Sequence, residues 1–339
     1  MAGFKLGHFS IDNDDNDYCF VIAEAGSNHD QSKSNAYELI DIAAESGADA
    51  VKFQLFNVES LYSKFASRKI LEQTKRAELP KEWIPDIIDR CKSQKIVFLA
   101  TPFDYESVTY LDKLGMTGFK WASGEITDTA LLSFAAQRQK PMIISTGMCS
   151  LSDIEGAINS VTRTKNNKIS LLHCVSVYPS TAKDANLRMM DTLSNAFCYP
   201  VGYSDHTLGK SVALAAVARG ARILEKHFTL DKKLNSPDHE FALRPKELTE
   251  LIINVREISQ SLGCKTKRMI KEEEPISQVC RRSLIAKNHI QKGTKISRSM
   301  LTVKRPGTGI RPALINTVVG RKAAVNIRRD EILEWQMLQ

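Results

Sequence analysis

The sequence predicts an α/β protein, a (β/α)8 barrel followed by a small second module. Three observations carry this. Short apolar or β-branched runs recur eight times between residues 20 and 227 and are separated by longer amphipathic stretches. Several of those stretches close on a glycine just before the next run. After Leu262 the alternation stops and a polar, charged segment leads into short strand-like pieces.

In chain order, the strand-like runs fall at 20–24, 50–54, 97–100, 118–121, 142–145, 170–173, 201–204 and 223–227. Helical periodicity fills 35–46, 85–93, 107–114, 151–161 and 211–219. Gly47, Gly115 and Gly220 stand where a helix must stop. Eight strand–helix units over about 250 residues is the arithmetic of a (β/α)8 barrel. A doubly wound open sheet is the competing architecture, but no glycine-rich dinucleotide turn follows the first run. The barrel is therefore assigned to 1–262. Residues 263–277, with Lys265, Lys267, Arg268, Lys271 and Glu272 to Glu274, read as a linker. Residues 278–339 form the second module, with strand-like pieces at 282–286, 301–303 and 323–327 and a turn at Pro306-Gly307-Thr308-Gly309.

Composition narrows the class without naming a function. Of the 339 residues, 42% are hydrophobic and 25% charged, which excludes a disordered or fibrous chain. No apolar run approaches the roughly 18–20 residues that cross a bilayer, and the first residues lack the core of a signal peptide. A soluble, cytoplasmic protein is expected. The net charge of +8 is not gathered into one tract, and no nucleic-acid motif is visible. The segment from Arg281 to Arg305 is locally basic, which suits an anionic small substrate or a solvated surface equally. Seven scattered cysteines without a CxxC pair read as reduced thiols. Cys174, closing an apolar run, reads as an inert strand-end thiol.

In such a barrel the active site lies at the carboxyl ends of the strands, and the residues closing these runs are polar. Run one ends in Glu24, and run two carries Lys52 and Gln54. Thr101 follows run three, while Lys120 and Ser123 belong to run four and its loop. Ser145, His173 with Ser176, Ser204-Asp205-His206 and Glu225-Lys226-His227 close the last four. Two lysines among hydroxyls on converging strand ends meet the needs of a phosphate or carboxylate. His206 and His227 close adjacent strands, so their imidazoles either share a divalent cation such as Mn2+ or are two hydrogen-bonded polar residues at the barrel mouth. For His29 and His239, in loops, a surface position is equally open.

These motifs resemble the sialic acid synthases, phosphoenolpyruvate-dependent enzymes that make nonulosonic acids. The resemblance rests on Ile22-Ala23-Glu24-Ala25-Gly26-Ser27-Asn28-His29, Val51-Lys52-Phe53-Gln54, Thr101-Pro102-Phe103 and Lys120-Trp121-Ala122-Ser123-Gly124-Glu125. It continues in Ser145-Thr146-Gly147-Met148, Tyr203-Ser204-Asp205-His206-Thr207 and Glu225-Lys226-His227-Phe228-Thr229. Arg281-Arg282-Ser283-Leu284 and Lys304-Arg305-Pro306-Gly307-Thr308-Gly309 look like the antifreeze-like (SAF) domain of that family.

The resemblance implies condensation of phosphoenolpyruvate with an N-acylated amino sugar, N-acetylmannosamine in the type reaction, with release of phosphate by C–O cleavage. It implies a divalent metal, Mn2+ first with Mg2+ or Co2+ as alternatives, held by His206 and His227. Glu24 matches the general acid–base. Lys52, Lys120, Thr101, Ser123, Ser145 and Ser204 match the phosphoenolpyruvate set, and Gln54, Tyr178, Glu225 and Asp238 match positions facing the sugar. Arg305 matches the arginine that reaches the partner subunit's sugar site, implying a domain-swapped homodimer with no nucleic-acid or membrane partner.

Two departures are visible. Ser176 stands where family members often carry Asn, and residues 234–243 keep Pro237-Asp238-His239 without the glycine commonly found before the proline. The Pro-Asp-His form looks more like neuraminate or legionaminate synthases than pseudaminate ones. N-acetylneuraminate synthase is the leading reading, with N,N'-diacetyllegionaminate synthase, acting on a 2,4-diacetamido-2,4,6-trideoxy sugar, as the alternative. A sugar-acid phosphate synthase lacks the second module, and a non-enzymatic saccharide- or ice-binding protein has no use for a cation site beside a phosphate cradle.

Overall fold

The computed structural model describes residues 3–12, 18–234, 237–264 and 266–339. Asn235 and Ser236 of the loop motif, Met1 and Ala2 of the N-terminus and Lys265 of the expected linker lie outside them. The chain divides into two compact units, residues 1–263 and 264–339.

The first unit opens with an antiparallel hairpin, β1 (Phe4–Leu6) and β2 (Phe9–Ile11), that sequence periodicity did not reveal. Eight strands follow: β3 (Phe20–Gly26), β4 (Ala50–Leu55), β5 (Val97–Pro102), β6 (Phe119–Trp121), β7 (Met142–Ser145), β8 (Ile169–Cys174), β9 (Val201–Asp205) and β10 (Ile223–His227). Each of the eight expected runs is thus a strand. They form one parallel sheet in the order β5-β4-β3-β10-β9-β8-β7-β6, and β5 and β6 lie side by side where the ring nearly closes.

The expected helices appear as Lys33–Glu45, Ile84–Ser93, Tyr105–Lys113, Leu151–Thr162 and Ser211–Ala218. Their starts have chemical causes. Ser32 accepts from Asn35 N, Asp104 accepts from Ser107 N, and Ser150 makes a capping box with Asp153. Gly47, Gly115 and Gly220 adopt the left-handed conformation at φ +82°, +78° and +96°, which side chains with a Cβ resist.

The strand period of two sorts the core into two regions. Val21, Ala23, Val51, Phe53, Phe119, Trp121, Ile144 and Leu224 face the surrounding helices. Phe20, Ile22, Ala50, Leu99, Ile143, Leu172 and Ile223 pack inside the barrel, where Phe4, Leu6 and Ile11 of the hairpin join them. The hairpin therefore plugs the amino-terminal end. One step further along the strands, the interior turns polar.

The second unit pairs β11 (Ser283–Ala286) with β12 (Leu301–Lys304), antiparallel, around a core including Leu284, Ile290, Ile296, Ile310, Ile327 and Leu333. A helix at Glu273–Cys280 crosses the boundary drawn at 277 between linker and module.

Candidate active site

Because Phe20 and Ile22 point into the barrel, Glu24 must point there too. The same alternation carries Ala50 to Lys52 and Gln54, Ile143 to Ser145, and Ile223 to Glu225 and His227. These residues meet in a buried ionic cluster. Lys52 Nζ lies 2.9 Å from Glu24 Oε2 and 3.9 Å from Glu225 Oε2, while Lys120 Nζ lies 3.4 Å from Glu225 Oε1. All four are at most 4% exposed. Lys52 donates to Thr101 Oγ1 at 3.3 Å, Lys120 donates to Ser145 Oγ at 2.7 Å, Ser204 donates to Glu225 Oε1 at 2.8 Å, and Gln54 donates to Glu24 Oε1 at 2.9 Å.

The two carboxylates differ in acidity despite their proximity. Burial, reinforced by the neighbouring Glu225 charge, raises the Glu24 carboxyl against the pull of Lys52 and Gln54. Burial acts on Glu225 in the same sense, but Lys120 and Lys52 together outweigh it and hold this carboxyl below the ordinary range. The lysines differ likewise. Burial lowers Lys120, whereas on Lys52 the same penalty is overcome by Glu225 and Glu24, and the net shift is upward. The cluster thus pairs a carboxyl pushed above the ordinary range with one held below it.

Beside Lys120 a small cradle is built around Gly147. Gly147 N donates to Ser123 Oγ at 2.9 Å, and Cys174 Sγ lies 3.1 Å from the same oxygen. Ser176 Oγ is buried and has no hydrogen-bond partner among the described residues. A methyl group on Gly147 would come within 2.3 Å of Ser176 Oγ and 2.8 Å of Cys174 Sγ, so only glycine leaves this space open.

His206 and His227 meet on the opposite side, with ring centroids 5.5 Å apart. Burial lowers both imidazoles, His227 to about 3, so both are neutral near pH 7, the ligating form. His206 Nδ1 bonds Val175 O at 2.9 Å, which leaves Nε2 for a ligand. His227 Nδ1 is buried without a hydrogen-bond partner among the described residues, and Asp238 Oδ2 stands 3.8 Å away. Among the described residues no group of three or more His, Cys, Asp or Glu side chains is gathered as a cation cage. Two neutral imidazoles with free nitrogens still fit a divalent cation.

Tyr178 packs 4.2 Å from the His206 ring, and Phe241 lies 4.9 Å from that of His227. Asp238 accepts from Ser27 Oγ at 3.3 Å, and a Cβ on Gly26 would sit 2.9 Å from its Oδ2. The structure therefore brings together Glu24, Lys52, Gln54, Thr101, Lys120, Ser123, Ser145, Ser176, Tyr178, Ser204, His206, Glu225, His227 and Asp238 at the carboxyl end of one barrel. Arg305 is exposed in the second unit, just after β12.

The sequence left the roles of four further residues open. His29 and His239, for which a surface position was open, are 0% and 1% exposed. Asp205 and Lys226 form a buried ion pair behind the two histidines. The available signal was their position inside otherwise apolar strands, where an unpaired charge is not tolerated.

The sequence profile of the NeuB family matches residues 39–267, and that of the SAF domain matches 281–339. The chain is 40% identical over 337 residues to the N,N'-diacetyllegionaminic acid synthase of Legionella pneumophila, covering 95% of each chain. It is 41% identical over 327 residues to the enzyme of the same name from Campylobacter jejuni, covering 92% of this chain and 98% of that one. The crystal structure of an N-acetylneuraminic acid (sialic acid) synthetase from Leptospira borgpetersenii, in complex with citrate, superposes with a TM-score of 0.75 at 37% identity, covering 81% of this chain and 94% of that one.

Proposed function

This chain belongs to the NeuB family, and on that footing we propose that it condenses phosphoenolpyruvate with a 2,4-diacetamido-2,4,6-trideoxy sugar to give N,N'-diacetyllegionaminate and phosphate. The observation that carries the choice of sugar is the 40–41% identity to two legionaminic acid synthases over more than nine-tenths of the chain. N-acetylneuraminate synthesis, the leading expectation from the motifs, becomes the second reading. The Leptospira structure supports it at 37% identity.

The ionic cluster suits the proposed chemistry. Lys52 and Lys120, with Thr101, Ser145 and Ser204, hold the phosphate and carboxylate of phosphoenolpyruvate, while the cradle of Ser123, Gly147 and Ser176 takes oxygen atoms. Gln54, Tyr178, Glu225 and Asp238 orient the open-chain sugar. His206 and His227 would hold a divalent cation, Mn2+ first, which supplies Lewis-acid polarisation of the sugar aldehyde. Carbon 3 of phosphoenolpyruvate forms the new C–C bond to that aldehyde carbon, leaving a cationic C2. Water adds to C2 and gives up its proton to Glu24, whose pKa burial raises, as suits a group that takes a proton and returns it to the oxygen of the former aldehyde. The tetrahedral intermediate then loses phosphate by C–O cleavage as its C2 hydroxyl becomes the keto group, and that proton leaves with the phosphate.

We assign the working enzyme to a homodimer in which Arg305 of one chain completes the sugar site of the other. Met148, Val177, Tyr178 and Leu208, on the loops after β7, β8 and β9, are 53–76% exposed and form an apolar rim suited to being covered. A cytoplasmic setting accords with seven free cysteines. The deciding experiment incubates the protein with phosphoenolpyruvate, Mn2+ and each sugar in turn and measures phosphate release. A kcat/KM at least tenfold higher for the 2,4-diacetamido-2,4,6-trideoxy sugar supports legionaminate synthesis. The reverse preference for N-acetylmannosamine establishes the second reading, and no release with either sinks both.

A further inference from the structure

Asp238 reaches the histidine pair from a loop rather than from a barrel strand, so something must hold that loop in place. The adjacent residue supplies it. His239 is 1% exposed, although it lies in a surface turn, Pro237–His239. Its Nε2 lies 2.9 Å from Asp30 Oδ2, and its Nδ1 lies 2.6 Å from Thr229 Oγ1. Each partner belongs to a different strand end. Thr229 follows β10, two residues past His227, and is itself fully buried. Asp30 follows β3 in the segment that carries Glu24, Gly26 and Ser27.

The Asp30 side is built at a conformational cost. Asp30 and Gln31 are consecutive non-glycine residues in the left-handed region, at φ +47° and +56°. That winding, held by Asp30 N donating to Ser27 O at 3.2 Å and Gln31 N donating to His29 Nδ1 at 3.2 Å, turns the Asp30 carboxylate toward His239. Asn28 Nδ2 meanwhile donates to Phe228 O at 2.7 Å and ties the same two strand ends together. Thr229 N donates to Leu243 O at 2.9 Å, closing the far end of the loop on β10.

We propose that the Asp30–His239–Thr229 chain is a positioning device that sets the Asp238 carboxylate against His227 and Ser27, and thereby governs binding of the sugar but not of phosphoenolpyruvate. The inference rests on Asp238 facing the sugar, as proposed above. His239 touches no substrate in this arrangement. It fixes the backbone one residue away from the group that does, and a displacement of about 1 Å at such a group is enough to cost on the order of a hundredfold in rate.

The test compares His239→Ala, Asp30→Ala and Asp30→Asn in the full-length protein. Two readouts are taken: KM for each substrate, and hydrogen–deuterium exchange over residues 237–243 in the absence of ligands. His239→Ala and Asp30→Ala are expected to speed exchange across that loop at least tenfold. They should also raise the sugar KM about tenfold, with the phosphoenolpyruvate KM changed less than twofold. Asp30→Asn keeps an oxygen that accepts from Nε2–H and should restore both readouts to within about threefold of the unsubstituted protein. Unchanged exchange in both alanine variants overturns the proposal, as does an equal rise in both KM values. Should the unsubstituted protein turn over neither sugar, the substrate assignment fails by itself, and the exchange readout still decides the anchor. If His239→Ala does not fold, the two Asp30 variants carry the comparison alone.

Discussion

Lys226 and Asp205 form an ion pair of 2.6 Å on the helix-facing side of β10 and β9, with their side chains 1% and 0% exposed. Each immediately precedes one of the two histidines at the barrel mouth. Lys226 also donates to Thr207 O, and Asp205 Oδ1 accepts from Thr207 N at 2.9 Å and Thr207 Oγ1 at 2.8 Å. The pair thus pins the two strand ends from behind while His206 and His227 face inward. Lys226→Met strands the Asp205 carboxylate and is expected to cost about 3–5 kcal/mol. Adding Asp205→Asn should recover much of that loss, because the bonds to Thr207 survive. Urea midpoints measured at unchanged m-value check both.

His206→Ala removes one of the two neutral imidazoles and leaves the ionic cluster intact. Mn2+ affinity, read by the spin signal of the free ion, should fall at least tenfold while thermal unfolding changes little. An unchanged affinity removes His206 from the cation site.

The pH profile should carry the mark of Glu24. Burial raises its carboxyl, and a base that must be ionised to accept a proton loses function as pH falls through that raised value. The acid limb of kcat/KM should therefore lie above the ordinary carboxylate value of about 4.3. Glu24→Gln should lower kcat by roughly 10²–10⁴-fold and abolish that limb. An acid limb that persists in the variant assigns it to another group.

Deleting residues 278–339 should abolish sugar turnover while the barrel still folds, since the hydrophobic core of the first unit is contained within residues 1–263. Sedimentation of the intact chain should give a dimer. A truncated monomer with full activity would remove Arg305 and the exchanged module from the reaction.

The barrel was legible because hydrophobic periodicity is a local signal. All eight strands appeared as runs in the sequence, and Glu24, Lys52 and Glu225 stood out as polar residues at the ends of those runs. The plugging hairpin was not legible. Phe4–Leu6 and Phe9–Ile11 are three residues each, too short to show a period, and become strands only by packing on the barrel floor.

The sequence by itself determined the order of strands and helices, the polar residues at the strand ends and the family motifs, because each depends on neighbours a few residues away. Only the tertiary structure decided how those groups share charge. Glu24 and Glu225 are 201 positions apart, yet both lie against Lys52, and the balance of burial and opposing charge there drives one carboxyl up and the other down. The same holds for His239, which periodicity leaves in a loop and which closure of the barrel carries to Asp30, 209 residues away. Desolvation and Coulomb interaction depend on distance through space, and the fold alone sets those distances.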